Sequence, residues 1–396
     1  MKFANRMNEV KASAIRSVGK IIAQKKDVIS FAAGLPDPSL FPFDEIYGVT
    51  DKILKENPAQ ALQYGPTQGH GPLIDKIVEL LQERDNVSAR PENIIVTTGS
   101  QQGISFCAMM MIDPGDVIIT ENPSYLGAIN AFRPYQCSFV GVDVDENGMI
   151  MEELEKALKE NPKAKMIYVI PNFQNPTGKT WSEERCRKLV ELANKYNVMV
   201  IEDDPYGQLR FKGEKVPTLK SMDTKGKVIS LGSFSKVLCP GLRVAWICAD
   251  KEIIEKVELL KQGVDLQSNQ LAQMQVCEFL ESYDFEGHIE KIRAAYGRKC
   301  NLMIETMKRE FPEEAKYVEP EGGMFVWVEL PEHIDANELF NKAIEKNVAF
   351  VPGESFYPNS DCKSSFRLNF TTTPEDRIEE GVKILAGVIK DCLNDC

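Results

Sequence analysis

A lysine, two serines and an arginine lie close together in Leu231-Gly-Ser-Phe-Ser-Lys236 and the following Pro240-Gly-Leu-Arg243. Ser233 and Ser235 precede Lys236 on a small-residue turn, and Arg243 follows it by seven residues. Hydroxyls and a guanidinium can hold a phosphate, and the lysine amine then stands beside it as a nucleophile. Any one of these residues alone would say little in a chain with 47 lysines and arginines. Other segments ask for the same arrangement.

Gly99-Ser100-Gln101 reads as the end of a strand and the start of a helix, where free backbone N–H groups suit an anion. An ordinary N-cap has the same signature. Asp203 and Tyr206 lie three residues apart in Glu202-Asp-Asp-Pro-Tyr206, which reads as another strand end. Tyr125 offers a face for ring stacking, and Asn175, in Asn175-Pro-Thr-Gly178, offers an amide on a turn. A lysine that forms a Schiff base beside a phosphate cup is what pyridoxal phosphate requires. In that reading a carboxylate keeps the pyridine nitrogen protonated, and Tyr206 and Asn175 donate to the ring oxygen O3′. Glu202 and Asp204 compete with Asp203 for the carboxylate role; alternation along a strand turns them to the opposite side from Asp203. Lys236 would also carry the proton at the substrate Cα, as base and then acid. Arg367, on a later strand, is a fork for the substrate α-carboxylate, or else a sheet-surface arginine.

These residues need a scaffold that collects strand ends. From about residue 94 to 250, short β-branched runs alternate with helical patterns. Strands are expected at 94–97, 117–120, 166–170, 198–201, 228–231 and 244–248, and helices at 101–111, 124–132, 151–159 and 183–196. Such alternation, with strands apolar on both faces, predicts an α/β fold around a largely parallel sheet, whose ligands sit at the strands' carboxyl ends. Beyond 250 the pattern predicts long helices at 251–262 and 271–309, strands at 322–330 and 365–370, and helices at 336–346 and 377–393, which read as a smaller α+β part.

Composition removes several alternatives. A formal charge of −12 with no basic run argues against nucleic acid and against anionic membranes. The ten cysteines include no C-x-x-C pair and read as reduced thiols of a cytoplasmic protein. The N-terminus lacks the apolar stretch of a signal peptide, and no run approaches the ~18 residues of a membrane span. Only His70, His288 and His333 occur, in no metal-ligand spacing and near no nucleophile turn, so no metal is expected and a cofactor is left to do the chemistry.

The chain closely resembles the fold-type I, pyridoxal phosphate-dependent aminotransferases of class I/II, in the branch of 2-aminoadipate and kynurenine aminotransferases. The matching segments run in order along nearly the whole chain: Ile29-Ser-Phe-Ala-Ala-Gly-Leu-Pro36, Leu62-Gln-Tyr-Gly-Pro-Thr67, Thr98-Gly-Ser-Gln-Gln-Gly103, Phe173-Gln-Asn-Pro-Thr-Gly178, 231–243 and Pro320-Glu-Gly-Gly-Met-Phe-Val-Trp327. The resemblance implies a large domain with a mostly parallel seven-stranded sheet and a smaller α+β domain. The expected division is an N-terminal arm and part of the small domain at 1–45, the large domain at 46–285 and the small domain at 286–396. It also implies a homodimer in which Tyr64 reaches the neighbour's cofactor phosphate, a loop around Gly34 that covers the substrate, and an arginine at Arg16 for a substrate's side-chain carboxylate. A solvated helix charge is the other reading of Arg16. Ala33, Asn172 and Cys239 depart from the branch and bear on substrate preference.

The function expected is ping-pong transfer of an amino group from an L-amino acid (2-aminoadipate-like, glutamate, aromatic or branched) to a 2-oxo acid such as 2-oxoglutarate. Two rivals stand beside it. A lyase or decarboxylase would share the cofactor residues, and Arg367 with Arg16 favours transamination. A cofactor-binding regulator would need a DNA-binding module, for which the matching segments, starting almost at Met1, leave no room.

Overall fold

The computed structural model describes residues 2–10, 14–359 and 362–394. Its centre is an eight-stranded sheet. The strands are β1 (Ile94–Thr98), β2 (Val117–Asn122), β3 (Ser138–Asp145), β4 (Gly148–Met149), β5 (Ala164–Val169), β6 (Met199–Asp203), β7 (Val228–Ser233) and β8 (Val244–Cys248). They lie in the order β1-β8-β7-β6-β5-β2-β3-β4. The contiguous run β7-β6-β5-β2-β3 is parallel; β8 runs antiparallel to both neighbours, and β4 is an antiparallel edge. The strand beyond the expected seven includes β4, a two-residue pairing closed by Gly148 at φ 107°. A second, antiparallel sheet pairs Lys316–Tyr317, Phe325–Glu329, Ser365–Asn369 and Val351–Pro352.

Alternation in the parallel strands sends Ile118, Tyr168, Ile201 and Ile229 into one apolar cluster and Ile119, Val169, Val200 and Val228 into another. Both faces are thus buried under helices, and the β-branched runs have no solvent side on which to carry charge. That leaves polar residues to the strand ends. The first cluster continues into the second sheet through Phe325, Trp327, Phe366 and Leu368, so the two sheets share one core.

The long helical pattern from 271 to 309 is two helices, Gln270–Ser282 and Phe285–Glu310. Tyr283 between them is extended, and the Asp284 carboxylate accepts from the Gly287 N–H at 2.9 Å, starting the second helix afresh. The strand read at 322–330 begins only at Phe325, because Gly323 takes φ 71° and turns the chain. No helix of the described residues is long and apolar enough to cross a membrane.

Candidate active site

The carboxyl ends of β1, β2, β5, β6 and β7 open on the same edge of the sheet. The amino end of the antiparallel β8 lies there too, which brings Arg243, just before it, alongside residues that follow the other strands.

Gly99 has φ 78° and precedes the helix Ser100–Met111. A Cβ at Gly99 would overlap the Arg243 guanidinium, so only glycine lets the two approach. The Ser100 hydroxyl, on the first helical residue, is buried without a hydrogen-bond partner. Ser233 accepts from the Ser235 N–H at 3.0 Å, and Arg243 reaches the Ser235 hydroxyl and the Thr98 carbonyl only loosely, at 3.5 and 3.4 Å. Gln101 turns its amide to the Gly127 carbonyl at 3.0 Å, so its contribution to the cup is confined to its backbone. Hydroxyls, helix-start N–H groups and a weakly engaged guanidinium fit a phosphate dianion.

The acidic run at the end of β6 divides as strand alternation requires. Glu202 accepts from the Leu219 and Lys220 N–H groups at 2.6 and 3.0 Å, and Asp204 accepts from the Gly207 N–H at 2.8 Å. Asp203 accepts from the Tyr168 hydroxyl at 2.7 Å through Oδ2, while Oδ1 is buried with no partner. Burial pushes the Asp203 carboxyl up to about 6, and the Tyr168 bond holds it from rising further. A buried carboxylate oxygen without a donor is costly unless a cation or N–H meets it, and a pyridinium N–H would. Tyr168 was not singled out from the sequence; a lone tyrosine hydroxyl in the otherwise apolar stretch Met166–Val169 was the available signal.

Asn175 sits on a turn built by Gln174, whose amide donates to the Pro123 carbonyl at 2.8 Å and accepts from the N–H and hydroxyl of Thr177. Glu121 braces the same loop from below through the Ile170 N–H and the Trp181 indole, both at 2.9 Å. Asn175 Oδ1 accepts from Arg367 Nη1 at 2.8 Å, across 192 residues of sequence. Arg367 also donates to the Ala32 carbonyl at 3.1 Å and lies over the Phe325 ring, 4.2 Å from its centroid. It is fully buried, its Nε has no partner, and among the described residues no acid pairs with it. Burial pushes the guanidinium down to about 10, against the raising effect of Tyr206 and Tyr125. Tyr206 is buried edge-on to Phe325, and burial raises its hydroxyl above the ordinary tyrosine value, as it does for the half-buried Tyr125.

Lys236 donates to the Gly34 carbonyl at 2.9 Å. Its amine is pushed down to about 8, first by loss of water and then by the charges of Arg367 and Arg243. An amine lowered to about 8, with no acid partner among the described residues and within reach of the Arg243 of the anion cup, has the character of a Schiff-base nucleophile. The donor set therefore fits pyridoxal phosphate at both of its charged ends.

Two expected residues lie apart. Tyr64 is 77% exposed, next to the exposed Leu62, and touches none of the others. Arg16 is exposed on the helix Ala14–Ala23 and makes no ion pair or hydrogen bond among the described residues. A second group, besides Tyr168, escaped the sequence reading. The fully buried Lys261 pairs with Asp265 at 2.9 Å, and Asp265 in turn takes a bond from Gln102 at 2.7 Å, beneath the Thr98–Gln102 turn. Its signal was a Lys–Asp pair at i,i+4 on a helix.

The family model for class I and II aminotransferases matches residues 26–385. The chain belongs to the class I and II aminotransferases. This aminotransferase is 43% identical over 98% of its length, and 94% of the relative's, to aromatic-amino-acid aminotransferase 1 of Thermococcus litoralis. It superposes with TM-score 0.94 on the kynurenine aminotransferase of Pyrococcus horikoshii, whose crystal structure contains PMP, at 40% identity and with 98% and 97% of the two chains covered. The α-aminoadipate aminotransferase LysN of Thermus thermophilus, complexed with N-(5′-phosphopyridoxyl)-L-leucine, gives TM-score 0.92 at 38% identity, covering 100% and 98%. The protein is a pyridoxal phosphate-dependent enzyme that moves amino groups between amino acids and 2-oxo acids.

Proposed function

We propose that Lys236, Asp203 and Tyr206 are the catalytic residues, and that the donor is an L-amino acid of broad side-chain range, aromatic or acidic. The observation that carries the reading is the fully buried Arg367, without a counter-ion and with an orphan Nε, in the electrostatic reach of Lys236. A buried unpaired cation is destabilising by several kcal/mol in general, and a substrate α-carboxylate would relieve it.

Bound pyridoxal phosphate supplies the electron sink for the carbanion left when the substrate Cα gives up its proton. Gly99, Ser100, the Gln101 backbone, Ser233, Ser235 and Arg243 would hold the phosphate, and Tyr125 would stack on the ring. Asp203 Oδ1, buried without a partner, would hold a proton on the pyridine nitrogen. Tyr206 and Asn175 Nδ2 would donate to the ring oxygen, while Asn175 Oδ1 keeps the bond it accepts from Arg367. The Lys236 amine, lowered to about 8, would take the Cα proton at Nζ and hand one back. Gly34, whose neighbours are Phe325 and Arg367, would cover the substrate.

The names of the relatives support aromatic, kynurenine-like and 2-aminoadipate-like donors; 2-oxoglutarate is the acceptor we propose. Arg16 is the residue proposed for an acidic side chain. Tyr64, Leu62, Tyr47 and Phe43 are all exposed, apolar exposure that supports contact with a second copy, in which Tyr64 would complete the neighbour's phosphate cup. The cysteines described as free thiols support action in the cytoplasm. The test is a panel of donors against 2-oxoglutarate for wild type and Arg16→Ala. The variant should lose about tenfold or more in kcat/KM for 2-aminoadipate and glutamate, and little for phenylalanine. Equal losses on all donors would remove Arg16 from the specificity argument.

A further inference from the structure

Residues 31–37 have no regular secondary structure; Phe31 and Ala32 are anchored in the apolar core, but Ala33, Gly34 and Leu35 are half-buried or exposed, so apolar burial does little to hold these three. Polar ties do it instead. The Phe31 carbonyl accepts from the Asn369 N–H at 2.8 Å, that of Ala32 from Arg367, that of Gly34 from Lys236, and that of Leu35 from the Thr371 hydroxyl at 2.7 Å. At the far end Asp37 is fastened twice. Its N–H donates to the Tyr296 hydroxyl at 3.0 Å, and its carboxylate accepts from Lys299 Nζ at 2.6 Å. Lys299 is buried on the helix Phe285–Glu310 and also donates to the Thr371 carbonyl at 2.7 Å. One ammonium therefore joins the last residue of the segment to the residue that grips Leu35.

We propose that the Lys299–Asp37 ion pair is a latch that keeps the Gly34 carbonyl on the Lys236 amine, making both members positioning residues for proton transfer. The inference rests on the reading of Lys236 given above. A carbonyl can only accept, so while Gly34 binds one N–H of Lys236 the nitrogen lone pair is turned away from the loop. The free amine is then presented in one orientation each time it takes or returns the Cα proton. If the segment slides, the amine keeps its chemistry and loses its aim; a displacement of about 1 Å in such a group can reduce a rate about 100-fold.

Lys299→Met alone leaves the half-buried Asp37 carboxylate with only Ser39 as a donor and no cation, which can destabilise the fold, so the decisive variant is the double Asp37→Asn/Lys299→Met, which leaves no unpaired charge. Expected for it are a kcat lower by about 10- to 100-fold and a pyridoxal phosphate Kd within about twofold of wild type, because the phosphate cup is untouched. Two further readouts use the cofactor-free protein. Deuterium uptake at residues 31–37 should speed up about tenfold or more while residues 228–233 keep their protection. The pKa of Lys236, read from the pH dependence of its acylation by mass spectrometry, should fall, since a lost acceptor disfavours the ammonium. A folded double variant with wild-type kcat, uptake and Lys236 pKa would overturn the latch. So would parallel losses of cofactor affinity and of protection in 228–233, which mark general loosening. Absence of amino transfer in the wild type would refute the functional reading instead, and the cofactor-free measurements would still decide the latch.

Discussion

Replacing Gly99 by alanine should strike the cofactor cup through Arg243. Gly99 holds φ 78° and ψ 159°, a conformation almost closed to other residues, and the new methyl would occupy space now held by the guanidinium. The backbone strain is worth about 1–3 kcal/mol of stability. Displacing Arg243 removes charge-assisted hydrogen bonds worth about 1.5–3 kcal/mol, which corresponds to about a 10- to 140-fold rise in the pyridoxal phosphate Kd. Gly115→Ala separates the two effects. Gly115 also has positive φ, 88°, but an added Cβ there meets open space far from the cup. It should lose comparable stability and leave cofactor affinity unchanged. The assay is titration of the cofactor-free protein with pyridoxal phosphate by visible absorbance, with urea unfolding as the stability readout. In an Arg243→Ala background, Gly99→Ala should add little further loss of affinity, since the displaced partner is already gone. A Gly99→Ala protein that is strained but binds cofactor within about twofold of wild type would refute the account of the cup.

Asp203→Asn should retain cofactor, because the phosphate donors are intact, and lose about 10³-fold or more in kcat, because a neutral amide no longer holds the pyridine proton; kcat within tenfold of wild type would contradict the assignment. The cofactor-free protein should lose stability between about pH 6.5 and 8. Burial raises Glu202 to about 8, Asp204 and Glu121 to about 7 and Asp203 to about 6, so the folded chain binds more protons than the unfolded one in that window. The stabilisation these groups give is complete at acid pH and is lost as pH rises through their folded values. Lys236, lowered to about 8, works the other way, and its penalty is relieved above pH 8. His70 and His288, also lowered by burial, oppose the trend only below the window. A urea midpoint that is flat or rising from pH 6.5 to 8 would contradict this.

The parts of the site that the sequence disclosed are those carried by strand ends. Short Val/Ile runs buried on both faces leave nowhere for Asp203, Tyr206, Ser233 and Lys236 except the sheet edge, so their neighbourhood is a consequence of pattern. Strand alternation also separated Asp203 from Glu202 and Asp204, whose carboxylates the structure engages with backbone N–H groups on either side. The strand Ser138–Asp145, next to the edge, was not legible, because most of its residues are partly exposed and its apolar runs are broken by Gly141 and Asp143. The helices Phe43–Glu56 and Gly71–Asp85 were passed over as well; they lie upstream of the strand–helix alternation on which the reading was built. Contacts between distant segments were the least legible. Nothing local to Arg367 announces that Asn175 and Ala32 receive its donors, and nothing local to Lys299 announces Asp37. The break at Tyr283 was hidden because Asp284 and Gly287 can continue a polar helical face as readily as start a new helix.

The central claim is that Lys236 and its neighbours run a half-reaction in which the amino group passes to the cofactor. The direct measurement mixes the cofactor-loaded protein with one equivalent of an aromatic or acidic L-amino acid and follows the visible band and the 2-oxo acid together. The account predicts that the band disappears as one 2-oxo acid is released per site, and that added 2-oxoglutarate restores the band and yields glutamate. Lys236→Ala should do neither on the same time scale. Loss of carbon dioxide or of a side-chain fragment in place of the 2-oxo acid, or a Lys236→Ala protein that cycles like wild type, would contradict it.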